Sequence, residues 1–394
     1  MTSVDFSKVP AEELERRGGL WTAREIAQQP LLWRQVQELV ARERRSIDAL
    51  IAVFLERPNV RIVLTGAGTS AFIGECIAPA LTAHTGLRAD AVATTDLVSG
   101  PRQQLQSDVP TLLVSFARSG NSPESVAALE LAEQHLKTAA HLVITCNPDG
   151  KLARRARTMP NARVLVLPDA TNDRGFAMTS SFTGMLLAAG LVFGAIRDDL
   201  IPALTRAAEG LLQHVGSIAD GWVERRFERV VYLGSNELHA LARESALKLL
   251  ELTDGRVVAL AESTLGFRHG PKTIINEKTL VVIMMSNEPY ARAYDRDLLN
   301  ELQRDRKAGG IVAVATRSEG LETGEHVLVA DLHHAADLEL ALVYVVVAQS
   351  FAFKQSLALG LTPDNPNTAG VVNRVVQGVT IHAWPENRDH VSGR

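Results

Sequence analysis

The chain has only two cysteines in 394 residues, no excess of basic charge, no apolar leader and no cluster of residues spaced like a metal site. Cys76 and Cys146 stand seventy positions apart, which excludes a disulfide framework and a thiolate metal centre. Each reads as a small buried apolar residue in a reducing compartment. A formal net charge of −4 gives no basic field for nucleic acid or for an anionic membrane surface. The first thirty residues carry Asp5, Glu12, Glu13 and Glu15 and no apolar run, so no secretory signal is expected. One uncharged stretch, Gly175–Ile196, has the 22 residues a membrane span needs. Its first half holds Thr179, Ser180, Ser181 and Thr183, which makes it the buried helix of an α/β protein. The expectation is a soluble, cytoplasmic protein with no nucleic-acid or membrane partner.

What is present is ordinary core material, 46% apolar and 22% charged residues, enough for two or three domains. It is also arranged twice. Arg61–Gly66 (RIVLTG) is echoed by Arg229–Gly234 (RVVYLG), and Thr111–Val114 (TLLV) by Thr279–Val282 (TLVV), both at an offset of 168. Two strand-like matches at one offset imply two related modules. The loops that follow differ: GAGTS and ARSGNSPES in the first module, SNELHALARES and MMSNEP in the second.

Residues 1–57 read as a helical extension, with Trp21, Ile26, Leu31, Leu32, Val36, Leu39 and Val40 on one apolar face. A first module is expected over 58–197, a helical linker over 198–224, a second module over 225–361 and an irregular tail over 362–394. Expected strands are Ile62–Leu64, Ala91–Thr94, Leu112–Ser115, Leu142–Thr145 and Val164–Leu167, then Val230–Leu233, Val257–Leu260, Leu280–Met284, Ile311–Ala315 and Val327–Ala330. Leu338–Leu361 is expected to be the closing helix. Short, nearly continuous apolar runs alternating with helical stretches predict parallel sheets covered by helices on both faces.

Ligands in such sheets bind at the carboxyl ends of the strands, where both distinctive loops of the first module fall. One is Gly66-Ala67-Gly68-Thr69-Ser70; the other is Arg118-Ser119-Gly120-Asn121-Ser122, followed by Pro123. Ser122 before Pro123 makes a helix start, and helix starts offer free N–H groups to an anion. Ser119, Asn121 and Ser122 add side-chain donors, and Arg118 is available to pair with phosphate. A rival reading uses Gly66, Gly68 and Ala71 as a dinucleotide loop with Asp96 as the ribose acid; it leaves the Ser-Gly-Asn-Ser loop without a role. In the second module Glu244, Lys248 and Glu251 share a helix face at i, i+4 and i+7. The leucines around them keep that helix from being freely exposed, so a carboxylate there is expected to be raised toward a pKa useful for proton transfer. His269, in Gly266-Phe267-Arg268-His269-Gly270-Pro271, is either a structural turn residue or a proton carrier.

In this order GAGTS, SGNS, Glu-x3-Lys-x2-Glu and HGP resemble the sugar isomerase (SIS) family, over about residues 20–385. The chain resembles the isomerase half of glucosamine-6-phosphate synthase and, more closely, the AgaS-type proteins, known as tagatose-6-phosphate isomerases or galactosamine-6-phosphate deaminases. TNDRGFAMTSSFT (171–183) and LAESTLGFRHGPKT (260–273) carry that closer likeness. The resemblance implies two tandem SIS modules, each a three-layer, flavodoxin-like αβα unit. It makes Ser119, Gly120, Asn121 and Ser122 the phosphate loop and Gly68, Thr69 and Ser70 part of the sugar-binding turn. It makes Glu251 the proton shuttle between sugar carbons 1 and 2, with Lys248 and Glu244 lining the open-chain sugar. His269 becomes the ring opener, entering from a neighbouring subunit, which implies a homodimer or larger assembly. The synthase tail carries a lysine where Val376-Gln377-Gly378-Val379-Thr380 stands here, so a synthase-like tail role is not implied.

Thr2 and the late Cys76 leave no place for a glutaminase nucleophile, and the expected chemistry therefore runs toward ammonia release. Galactosamine 6-phosphate would be opened, isomerised to a carbon-2 ketimine and hydrolysed to tagatose 6-phosphate and ammonia, with no metal or other cofactor. Plain aldose–ketose isomerisation, glucosamine-6-phosphate deamination and a non-catalytic sugar-phosphate sensor remain as alternatives.

Overall fold

The computed structural model describes residues 6–321, 324–376 and 378–384. Two five-stranded sheets, parallel throughout, organise it. The first joins β1 (Arg61–Thr65), β2 (Arg88–Ala91), β3 (Thr111–Ala117), β4 (Ala139–Thr145) and β5 (Ala162–Val166) in the order β2-β1-β3-β4-β5. The second joins β6 (Arg229–Gly234), β7 (Val258–Ser263), β8 (Thr279–Met284), β9 (Gly310–Ala315) and β10 (Glu325–Leu328) in the order β7-β6-β8-β9-β10. Both are the flavodoxin-like 2-1-3-4-5 order, whose ligand crevice lies where the order reverses, between the first and third strands.

The offset of 168 persists in the details. Arg61 pairs with Thr111 across β1 and β3, and Arg229 with Thr279 across β6 and β8. A Cβ on Gly66 would come within 2.5 Å of the Ser70 carbonyl oxygen, and one on Gly234 within 2.4 Å of that of Leu238. Neither turn tolerates a side chain there. Gly68 has φ 56° and ψ −128°, and its counterpart Asn236 φ 50° and ψ −120°.

Side chains alternate across each sheet, as the pleat requires. Ile62 and Leu64 enter one large core, whereas Val63 faces a smaller one with Leu97 and Leu131. Val230 and Tyr232 enter the same large core, and Val231 and Leu233 face Phe267, Leu298 and Leu302. A single core thus runs between the two sheets. Helices Thr69–Thr85 and Glu237–Leu252, counterparts at that offset, pack on each other inside it. Glu75 and Arg243, again 168 apart, pair across them at 2.5 Å.

The N-terminal extension forms helices Ala11–Arg16, Leu20–Ala27 and Gln29–Leu55, and residues 198–224 form two helices, Ile201–Leu212 and Val215–Glu224. The uncharged stretch yields Ser180–Val192, buried at every position. Asp337–Ala358 closes the second unit; among the described residues it is the one helix long and apolar enough to cross a membrane, and it is wholly inside the fold. The expected strand Ala91–Thr94 is displaced. β2 ends at Ala91, and Thr94 already starts the helix Thr94–Ser99. Val92 and Thr94 instead donate backbone hydrogen bonds to Leu64 and Gly66, so the apolar signal marked a strand exit. The tail from Thr362 has neither helix nor strand over its described residues. It is tied down by Asp364, which accepts from the Thr22 N–H and hydroxyl, both at 2.8 Å.

Candidate active site

The two loops of the first sheet meet around a small cavity of about 110 Å³, the space of three or four waters at ~30 Å³ each. Ser70, Ser119, Gly120, Ser122 and Ser125 line it. Ser122 caps the helix Pro123–His135, its hydroxyl accepting from the Ser125 N–H at 3.4 Å, and the two hydroxyls lie 2.6 Å apart. The Ser119 hydroxyl accepts from the Asn121 N–H at 3.3 Å. Gly120 has φ +61°, the left-handed region that lets the loop curl its N–H groups inward. Hydroxyls and a helix start thus converge on one hollow, an arrangement able to accept an anion.

Two expected members of this loop point elsewhere. The Asn121 side-chain oxygen accepts from the Lys151 N–H at 3.1 Å. Arg118 is buried and spends its guanidinium on backbone carbonyls, donating to Phe176 at 3.0 Å and to Arg374 at 2.7 Å. Burial and the neighbouring Arg374 lower its pKa, against the opposing charges of Asp173 and Glu251. Arg118 lines the cavity and fastens the tail to it, so that Arg374, Val375 and Val376 line it as well. Ser125, Met178 and Arg374 were not singled out from sequence. Ser125 was legible as the third residue after an N-cap, whereas nothing local in the tail marks Arg374.

Lys248 is fully buried on the helix Glu237–Leu252. Its ammonium donates to the Thr69 hydroxyl at 2.9 Å, is ion-paired with Glu251, and lies 3.5 Å from Glu244. Burial alone would lower the ammonium's pKa; the two carboxylates outweigh it and the value is raised. Glu244, also fully buried, is pushed up to about 8 by burial, against the pull of Lys248. Glu251 is the outermost of the three, with a quarter of its side chain exposed (24%). The arrangement is a buried ammonium held between a buried carboxyl, Glu244, and a solvent-reachable one, Glu251. Such a set can take a proton from carbon and steady the charge that develops.

Adjacent residues couple the two halves. Ser70 lines the serine-rich cavity, and Thr69 accepts from Lys248. His269 lies apart, exposed on the turn after β7. Among the described residues no hydrogen bond or ion pair joins it to Glu251, Lys248 or the serine loop.

At the corresponding strand ends of the second sheet an open pocket of about 540 Å³ is lined by Asn236, Glu237, Asn287 and Glu288, and three donors there are met by the protein itself. Asp295 accepts from the Ser235 and Thr264 hydroxyls, both at 2.7 Å, and from the Ser286 N–H at 2.9 Å. Ser235 and Ser286 stand 168 positions after Ala67 and Arg118. A carboxylate of the protein itself thus occupies the donors at those strand ends.

A family model described as the SIS domain matches residues 54–195. The D-galactosamine-6-phosphate deaminase AgaS of Escherichia coli is 46% identical over 370 residues, covering 93% of this chain and 96% of the relative. An AgaS protein of Streptomyces coelicolor, provisionally named for the same activity, is 52% identical over 366 residues, covering 92% and 95%. The crystal structure of tagatose-6-phosphate ketose/aldose isomerase from Escherichia coli superposes with a TM-score of 0.88 at 44% identity, covering 93% of this chain and 97% of that one. With relatives this alike over nearly their whole length, the chain belongs to the SIS family and, within it, to the AgaS group.

Proposed function

We propose that the chain is a sugar-phosphate deaminase that converts galactosamine 6-phosphate into tagatose 6-phosphate and ammonia. The observation that carries this reading is the Thr69–Ser70 turn, which binds the buried Lys248 cluster on one side and borders the serine-lined anion cavity on the other. A substrate held there by its 6-phosphate presents its other end to Glu251. Opening of the ring frees the carbon-1 aldehyde, which acidifies the proton on carbon 2. Glu251 takes that proton and returns one to carbon 1, with Lys248 balancing the charge. The carbon-2 ketimine so formed adds water and loses ammonia. The names of the AgaS relatives favour deamination, and the likeness to a named tagatose-6-phosphate isomerase keeps plain isomerisation as the second reading.

Ammonia release is the deciding assay, run on galactosamine, glucosamine and N-acetylated 6-phosphates, with tagatose 6-phosphate isomerisation alongside and NAD(P) as a binding control. Release fastest from galactosamine 6-phosphate is expected. Interconversion of tagatose 6-phosphate with its aldose, without ammonia release from any amino sugar, would replace the first reading by the second.

The same proposal makes the working unit a homodimer or larger, with His269 of one subunit serving its neighbour's site. Glu251→Gln and His269→Ala proteins, each impaired on the cyclic sugar, should regain activity when mixed. In a random two-fold mixture about a quarter of all sites would carry both native residues. No recovery despite verified subunit exchange would place both residues in one subunit's site.

A further inference from the structure

The turn that carries His269 is mounted on the helix Pro289–Asp305 at three points. Phe267, wholly buried, sits among Leu298, Leu299 and Leu302 of that helix. On the same helix face Glu301 binds Arg268 Nε at 2.8 Å and ion-pairs with Lys272. One carboxylate therefore ties down the residue before His269 and the residue three after it. Lys272 has a second partner in Asp305, at 2.5 Å. Between the two cations the backbone bends sharply, with Gly270 at φ +124°, and the His269 N–H donates to the Gly266 carbonyl at 2.9 Å. Among the described residues no hydrogen bond or ion pair reaches the His269 ring itself. The direction of the imidazole is set by the turn, and the turn by what holds its flanks.

We propose that Glu301 is the positioning residue for His269, holding the Gly266–Ile274 turn at the angle from which the imidazole meets a sugar-phosphate ring. This rests on the reading of His269 as the ring-opening group. Glu301 is about a quarter exposed, 28% of its side chain, and ion pairs this open add little to stability. A merely structural Glu301 would be close to silent when neutralised. A positioning Glu301 would not, because a displacement of the order of 1 Å at a reacting group costs rate out of proportion to its energy.

The test is Glu301→Gln, assayed on cyclic hexosamine 6-phosphate and on its 4,5-dideoxy analogue, which has no hydroxyl able to close a five- or six-membered ring. His269→Ala is run beside it. The expected result is a kcat about tenfold or more lower on the cyclic substrate, with KM and the rate on the analogue nearly unchanged. Glu301→Asp should restore much of the loss. Arg268→Met, which leaves the carboxylate in place but empties one end of the clamp, should reproduce the selective defect; it also decides the matter if Glu301→Gln does not fold. A Glu301→Gln enzyme as fast as wild type on the cyclic sugar, while His269→Ala is selectively slow, overturns the proposal and leaves the ring-opening reading standing. Equal losses on both substrates overturn it as well. If His269→Ala shows no selectivity, the ring-opening reading falls and the proposal with it.

Discussion

Glu251→Gln is expected to lower turnover by about 10²–10⁴-fold, the usual cost of removing a general base, while leaving binding of the sugar phosphate nearly intact. The substitution keeps the shape of the side chain and removes its basicity. The fold should tolerate it, because the buried Lys248 retains Glu244. Glu251 is itself one of the charges that raise Glu244, so its neutralisation makes ionisation of Glu244 easier and the ammonium keeps a counter-charge. In deuterated water the wild-type enzyme should place deuterium at carbon 1 of the ketose, unless the proton passes without exchange. The variant should show neither exchange at carbon 2 nor ammonia release. Its effect should also differ in kind from that of His269→Ala, which is expected to be milder on a substrate that is already open. Ammonia release at a near wild-type rate by Glu251→Gln would reduce Glu251 to a counter-ion of Lys248.

The double variant Ser119→Ala/Ser122→Ala should fail at the opposite end of the substrate. Each hydroxyl removed from a charged phosphate costs roughly 1.5–3 kcal/mol, so the pair should weaken binding by about 10²- to 10⁴-fold. Ser122 also caps a helix, and its loss should cost about 1 kcal/mol of stability, visible as a small drop in melting temperature. The two effects separate cleanly, since binding should fall far more than stability. Isothermal titration with substrate, or with inorganic phosphate as a fragment of it, reads the first. An unchanged affinity in the folded double variant would remove the phosphate role from this loop.

Most strands were legible because a strand covered on both faces must be apolar nearly throughout, and Leu112–Ser115 or Leu280–Met284 have no other reading. β2 was misplaced because it is a short edge strand with the polar sequence Arg-Ala-Asp-Ala, and the apolar signal lay just beyond it. At the site, residue type and loop position pointed to Ser119, Ser122 and the Glu244-Lys248-Glu251 face, since a loop after a parallel strand and an i, i+4, i+7 stripe are both local patterns. The directions of Arg118 and Asn121 were not legible. Each has its partner in a distant segment, Arg374 in one case and Lys151 in the other. The same holds for Glu301, Thr69–Lys248 and Asp295, whose meaning lies largely in contacts with Arg268, with each other and with Ser235 and Thr264, 31 to 179 positions away along the chain.

Helices Thr69–Thr85 and Glu237–Leu252 meet as two identical subunits would meet, counterpart against counterpart, with Glu75 and Arg243 paired at equivalent positions. In a symmetric pair of separate chains every substitution is written twice, so a loop cannot be rich in serine on one side and different on the other. Covalent linkage lifts that constraint. Asp295 can neutralise the donors of one crevice while the serine loop of the other stays open, and Lys248 can reach across to Thr69 without a reciprocal lysine reaching back from position 80, which is alanine. One chain thereby encodes both partners of a lopsided pair, and a change around Lys248 in one half leaves the serine loop of the other half unaltered.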